Sequence, residues 1–389
     1  MTERLYFDWN ASAPLRDEAR AAVVRALETP GNASSVHAEG RAARGLIEAA
    51  RGQVAQLVGG GANNITFTSG ATEANMLALT PAIETAGEKR KRDRLFVSAI
   101  EHPSVLCGGR FSADAVEKLP VTADGIVDVH ALRSAIARAE RPLISVMLAN
   151  NETGVIQPIV DIAAIVHAAN GLLHVDAVQA PGRMACDIAA LGADMLTISS
   201  HKLGGPQGAG ALIRRGDIHI SEPLIKGGGQ ERGYRAGTEN VAAIAGFGAT
   251  ARAAGADLGR TAEWSGWRDR LAKMVTAGAS KIGRPATIFG SDAPRLPQTL
   301  CFAAPGLSAE ILLIALDLAG VAVSSGSACS SGKVAQSHVL AAMGVTPELA
   351  RGAIRLSLGW ESAPADLDLF ATAWEHVLEQ VASGAVKAA

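Results

Sequence analysis

Six short apolar runs recur along the chain: ITFTS (65–69), RLFVSA (94–99), LISVMLA (143–149), LLHVDAV (172–178), DMLTIS (194–199) and GALIRR (210–215). Between them lie longer stretches of helical character such as ATEANMLALTPAIETA (71–86) and IVDIAAIVHAAN (159–170). Parallel strands need a crossover long enough to hold a helix, and this rhythm of strand and helix supplies it. The expected fold is therefore α/β, a mainly parallel sheet covered by helices. Ahead of it, LRDEARAAVVRALE (15–28) reads as an amphipathic helix with Ala19, Ala22, Val23, Ala26 and Leu27 on one face.

The pattern changes near Ala251. A long helical run (261–283) leads to QTLCFAA, AEILLIALDLAG, GVAVSS, GAIRLSLG and a last helix over 365–382, which reads as a second, smaller α+β domain. With 389 residues, 48% of them hydrophobic, the chain can bury both cores without disulfides. A net charge of −2 argues against nucleic acid or an anionic membrane as partner. No run of about eighteen apolar residues occurs, and MTERLYFDWN lacks the basic start and apolar stretch of a secretory signal, so a cytoplasmic protein is expected.

Open α/β sheets bind ligands beyond the carboxyl ends of their strands. Four loops are candidates on this ground. TSGATEAN (68–75) offers either an ordinary strand-to-helix turn or a helix start whose N–H groups, with Thr72, hold an anion. In HVDAVQ (174–179), Asp176 interrupts an apolar strand; it is either half of a structural ion pair or the partner of a protonated ring nitrogen. In SSHKLGGPQG (199–208), Lys202 is either a solvated surface residue or an amine able to form a Schiff base, with Ser199 and His201 beside it as anion ligands.

The fourth loop is SSGSACSSGK (324–333), where Cys329 sits among Ser, Gly and Ala only. That composition favours an accessible nucleophilic thiolate. Cys107, Cys186 and Cys301 have apolar neighbours and are expected to be buried structural thiols. The loop is not a Walker A motif: five residues separate Gly326 from Gly332, and Val334 follows the lysine. In GAIRLSLG, alternation puts Arg355 opposite Ile354, Leu356 and Leu358, where it binds either a carboxylate ligand or a cross-strand acid.

Ten segments, YFDWNASAP, GNASSVH, FTSGATEANMLAL, EHPSV, NNETG, HVDAVQ, SSHKLGGPQG, GGGQERGYRAGTEN, SSGSACSS and IRLSLG, occur in the order that resembles group I NifS/IscS-like cysteine desulfurases of the class V aminotransferase superfamily. The resemblance implies pyridoxal phosphate fold type I, with a seven-stranded sheet in a large domain (16–257). The small domain, 1–15 and 258–389, would carry the 324–333 loop. It implies pyridoxal 5′-phosphate on Lys202, Asp176 at the ring nitrogen, Gln179 at the ring oxygen, His102 over the ring and Asn151 beside it. Ala71, Thr72, Ser199 and His201 would hold the phosphate, with Thr238 reaching in from the other subunit of a homodimer. Arg355, with Asn151, would bind L-cysteine and Cys329 would take its sulfur, while His102, ordinarily titrating near ~6.5, would handle protons.

The expected activity is removal of sulfur from L-cysteine, giving alanine and a persulfide that is passed to an acceptor such as an iron–sulfur scaffold. Ala33, Val178 and Ser330 depart from the family's commoner Pro, Thr and Thr without removing a catalytic group. The chain also ends at EQVASGAVKAA, short of the tail by which such enzymes dock a scaffold, so the acceptor stays open. An aminotransferase or selenocysteine lyase would share Lys202 and Asp176 without needing this cysteine context. A sulfur-carrying protein without catalysis would not need the complete set.

Overall fold

A computed structural model describes residues 4–85, 89–326 and 336–383. The six apolar runs become strands of one seven-stranded sheet: β1 (Ile65–Thr68), β2 (Arg94–Ser98), β3 (Val116–Leu119), β4 (Pro142–Ser145), β5 (Leu172–Asp176), β6 (Met195–Ser199) and β7 (Gly210–Arg214). Their spatial order is β1-β7-β6-β5-β4-β2-β3. Every pairing is parallel except those of β7, which runs antiparallel to β1 and β6.

Strand alternation divides the side chains between two cores. Phe96, Ile144, Val175, Leu196 and Ile213 face one, while Leu95, Leu143, Leu172, Met195 and Leu212 face the other. Coverage of both faces explains why these strands are mostly apolar on both sides. β3 is different: its sequence VEKL carries two charges and only Leu119 is buried. As an edge strand it has little apolar surface to bury, and charges there discourage further pairing.

The helix expected over 15–28 spans Asp17–Glu28, but its buried row is only Ala19, Ala22 and Ala26. Val23 is half-buried, and Leu27, expected on the same face, is 72% exposed. A row of alanines is narrow, and Leu27 falls outside it.

The C-terminal part forms a second, antiparallel sheet from β8 (Thr287–Ile288), β9 (Thr299–Ala303), β10 (Ser324–Ser325) and β11 (Ile354–Ser357), in the order β8-β9-β11-β10. GVAVSS, one strand by its pattern, is split. Its Val321–Ala322 half pairs in parallel with Leu5–Tyr6, and Ser324–Ser325 pairs with β11. The N-terminal segment is thereby bound to the small sheet, with Leu5 and Phe7 packed among Phe302, Leu356, Phe370 and Trp374. No helix among the described residues is long and apolar enough to cross a membrane.

Phe7, 1% exposed and edge-on to Phe370 with centroids 5.7 Å apart, anchors this segment. Phe7→Ala is expected to cost about 3–5 kcal/mol, the usual range for a large aromatic lost from a core. Urea unfolding checks it, the shift in midpoint multiplied by the m-value giving the energy.

Candidate active site

The carboxyl ends of β1, β2, β4, β5 and β6 open into one cavity of about 470 Å³, which Arg355 of β11 closes from the small sheet. Ten of the twelve expected residues line it: Ala71, Thr72, His102, Asn151, Asp176, Gln179, Ser199, His201, Lys202 and Arg355. Thr238 does not. It is exposed and borders a separate depression with Arg235 and Glu239. Cys329 lies outside the described residues, as does most of the 324–333 loop.

After β1, the chain turns through Gly70 into the helix Ala71–Ala78. This turn lies flat on the start of β7: a Cβ at Gly210 would be 2.5 Å from the carbonyl carbon of Gly70. The helix start is thus held at the cavity wall, its N–H groups available to an anion. β5 ends on Asp176, whose Oδ2 accepts from Asn75 Nδ2 at 2.9 Å and whose Oδ1 accepts from the Val178 N–H at 3.1 Å. Two donors keep a buried carboxylate solvated by protein.

Lys202 follows β6, and its Nζ donates to the carbonyls of Asn10 at 2.7 Å and Ala11 at 2.8 Å. Gln179 Nε2 donates to the same Asn10 carbonyl at 3.0 Å. Beneath them lies Arg183, which donates to Gln179 Oε1, to Asn10 Oδ1 at 3.1 Å and to the carbonyls of Trp9 and Lys202 at 3.2 and 3.3 Å. Burial pushes this guanidinium down to about 9. Neither Arg183 nor Asn10 stood out in the sequence. Asn10 sat in a quoted motif without a role, and Arg183 had only its proximity to HVDAVQ.

Arg355 makes the cross-strand ion pair that its strand allowed. One amino group pairs with Asp8 at 2.7 Å and the other donates to the Asn151 carbonyl at 3.0 Å. Its Nε is buried and has no partner among the described residues.

His102 was expected near its ordinary pKa, but burial, together with Lys202 and His338, lowers it against the opposing pull of Asp176. His201 is pushed down to about 4, first by burial and then by Lys202 and Arg183. Both rings are therefore neutral near pH 7. Cys186 and Cys301 are buried as expected, and burial pushes the Cys186 thiol up to about 12 and that of Cys301 upward too. Cys107 is exposed instead. It caps the four-residue helix Pro103–Leu106, a single turn that sends Val105 inward and Cys107 outward.

Two acids from the quoted motifs lie behind the cavity and were missed. Glu101 Oε1 accepts from Ser98 Oγ and the Met147 N–H, both at 2.6 Å. Glu152 Oε2 accepts from Ser337 Oγ at 2.5 Å. Burial raises Glu101 to about 8 and Glu152 to about 7.

A sequence profile of the aminotransferase class-V family matches residues 5–370. The chain belongs to the class-V aminotransferase family. Within it, the chain stands with the IscS- and NifS-like cysteine desulfurases. A cysteine desulfurase of Cereibacter sphaeroides is 40% identical over 386 residues, 97% of each chain. The crystal structure of a NifS-like protein from Rickettsia africae superposes with a TM-score of 0.86 at 34% identity, covering 97% of this chain and 100% of that one. SspA in complex with cysteine superposes with a TM-score of 0.73 at 28% identity, covering 91% of this chain and 98% of that one.

Glu101 keeps its proton in the folded state up to pH about 8, against 4.5 for the ordinary group. Between those values the folded chain holds more protons than the unfolded one, so this contribution to stability is lost as pH rises through that window. Glu101→Gln is expected to flatten the fall in unfolding free energy between pH 5 and pH 8 and to leave the variant the more stable protein at pH 8. Urea titrations at several pH values check it.

Proposed function

We propose that this protein is a cytoplasmic cysteine desulfurase that uses pyridoxal 5′-phosphate to convert L-cysteine to L-alanine. The sulfur is taken onto Cys329 as a persulfide and passed to an acceptor protein. The observation that carries the reading is the meeting of Lys202, Asp176 and His102 in one cavity at the strand ends.

The donor set fits the cofactor. Asp176, when ionised, is acceptor-only and suits a protonated ring nitrogen. Lys202 supplies the amine, and the helix start at Ala71 and Thr72, with Ser199 and His201, suits a phosphate. Gln179 would hold the ring oxygen, with Asn151 alongside and His102 over the ring. When bound, the cofactor supplies an electron sink for charge developing at the substrate Cα.

The chain's own residues do the rest. Arg355 would orient the substrate carboxylate, and Lys202 Nζ would take the Cα proton. The Cys329 thiolate attacks the substrate sulfur, so that the S–S bond forms as the C–S bond breaks with its electron pair left on carbon. Protons then complete alanine, and atoms balance as cysteine plus thiol giving alanine plus persulfide. Thr238 is exposed and absent from the lining of its own chain's cavity, which supports a homodimer in which it completes the partner's phosphate site. The boundaries that suit this arrangement are 16–257 for the large domain, with 1–15 and 258–389 for the small one.

The test supplies L-cysteine and a reducing thiol and measures alanine and sulfide together. Equal yields are expected from the native chain. Cys329→Ala should lose both, by at least a hundredfold, while keeping the visible absorbance of bound cofactor. Lys202→Ala should lose covalently held cofactor. A fully active Cys329→Ala variant, or native protein that binds the cofactor and makes neither product, overturns the reading.

A further inference from the structure

A carboxylate accepts hydrogen bonds and donates none, and at Asp176 this sets the direction of a chain of bonds running to His102. Asn75, fully buried, is the first link. Its Nδ2 lies 2.9 Å from Asp176 Oδ2 and 2.9 Å from Ser104 Oγ, so both amide protons are donated. Its Oδ1 has no partner among the described residues. Flipping the amide would set Oδ1 against the carboxylate, acceptor to acceptor, in a buried place.

Having accepted from Asn75, the Ser104 hydroxyl turns its own proton to His102 Nδ1, 2.8 Å away. The backbone N–H of Ser104 reaches the same nitrogen at 3.1 Å. A ring nitrogen that receives two donors carries no proton of its own. In a neutral imidazole the proton is then on Nε2, the nitrogen left to serve a ligand in the cavity that His102 lines.

We propose that Asn75 and Ser104 are positioning residues that hold His102 as the neutral Nε2–H tautomer, so that it meets a bound ligand as a hydrogen-bond donor and not as a base. Only the nature of that ligand rests on the desulfurase reading. There, the N–H would stabilise negative charge on a ring oxygen, a substrate sulfur or a carboxylate, while proton removal falls to Lys202. The charged or titratable groups acting on the ring are Asp176, Lys202 and His338, the last bonded through Nε2 to the Glu101 carbonyl at 2.9 Å. Asp176 favours protonation of the ring, and the other two oppose it.

Nitrogen-15 NMR of histidine-labelled holoenzyme, with His102 assigned by the signals missing from His102→Asn, tests this. At neutral pH the native ring should show an unprotonated Nδ1 and a protonated Nε2. Ser104→Ala removes one donor that favours the unprotonated Nδ1, so the His102 titration midpoint should rise by about half a unit or more. Ser104→Thr, which keeps the hydroxyl, should restore it. A native ring protonated on Nδ1, or a midpoint unmoved in Ser104→Ala, overturns the proposal. The readout needs no turnover, so loss of the desulfurase reading would appear separately, as absent alanine and sulfide with the tautomer intact.

Discussion

The site depends on a single buried asparagine at the junction of the two sheets. Asn10, 1% exposed, receives Lys202 and Gln179 on its carbonyl and Arg183 on its side-chain oxygen. Its amide reaches Thr299 of the small sheet at 2.9 Å, and its backbone N–H reaches Ser357 of the same sheet at 3.0 Å. The loops after β5 and β6 are thus tied to a segment that is itself held in the other core by Phe7. Large-sheet and small-sheet residues face each other across the cavity because this one strap belongs to both.

Such a crossing concentrates polar groups in a place with little water, and the chain manages the cost in two ways. Cations are spread over carbonyls: Lys202 has two, and Arg183 has those of Trp9 and Lys202. Groups that could have been charged are pushed toward their neutral forms, with Glu101 and Glu152 shifted up and His102 and His201 shifted down by burial. Burying a charge without partners costs far more than shifting its titration.

The sheet was legible because both faces of its central strands are covered, which forces apolar runs that no loop imitates. β3 was not, since an edge strand with Glu117 and Lys118 has no such pressure on it. Leu27 was misplaced because a helix pattern marks a face, whereas the width of the buried row depends on what packs against it. Lys202, Asp176 and Arg355 could be found as polar residues in apolar strands or at their ends. Asn10, Asn75 and Arg183 could not, since they act through partners 169, 101 and 173 residues away in sequence, and such pairings exist only once the strands are ordered. Cys107 shows the same limit in reverse: its apolar sequence neighbours said nothing about which way a single helical turn would point it.

Arg355 connects the two sheets at the cavity. Its guanidinium spends one amino group on Asp8 and the other on the Asn151 carbonyl, with Nε buried and without a partner among the described residues. An unpaired buried donor is costly, and a carboxylate is the acceptor that relieves it best. Asp8 holds the arginine in place from the strap, while Asn151 holds it from the loop after β4. The side chain is therefore oriented from both sides by the fold itself. Arg355 is thus held by the same strap that positions Lys202 through Asn10, so the guanidinium and the amine on opposite sides of the cavity share one mechanical reference.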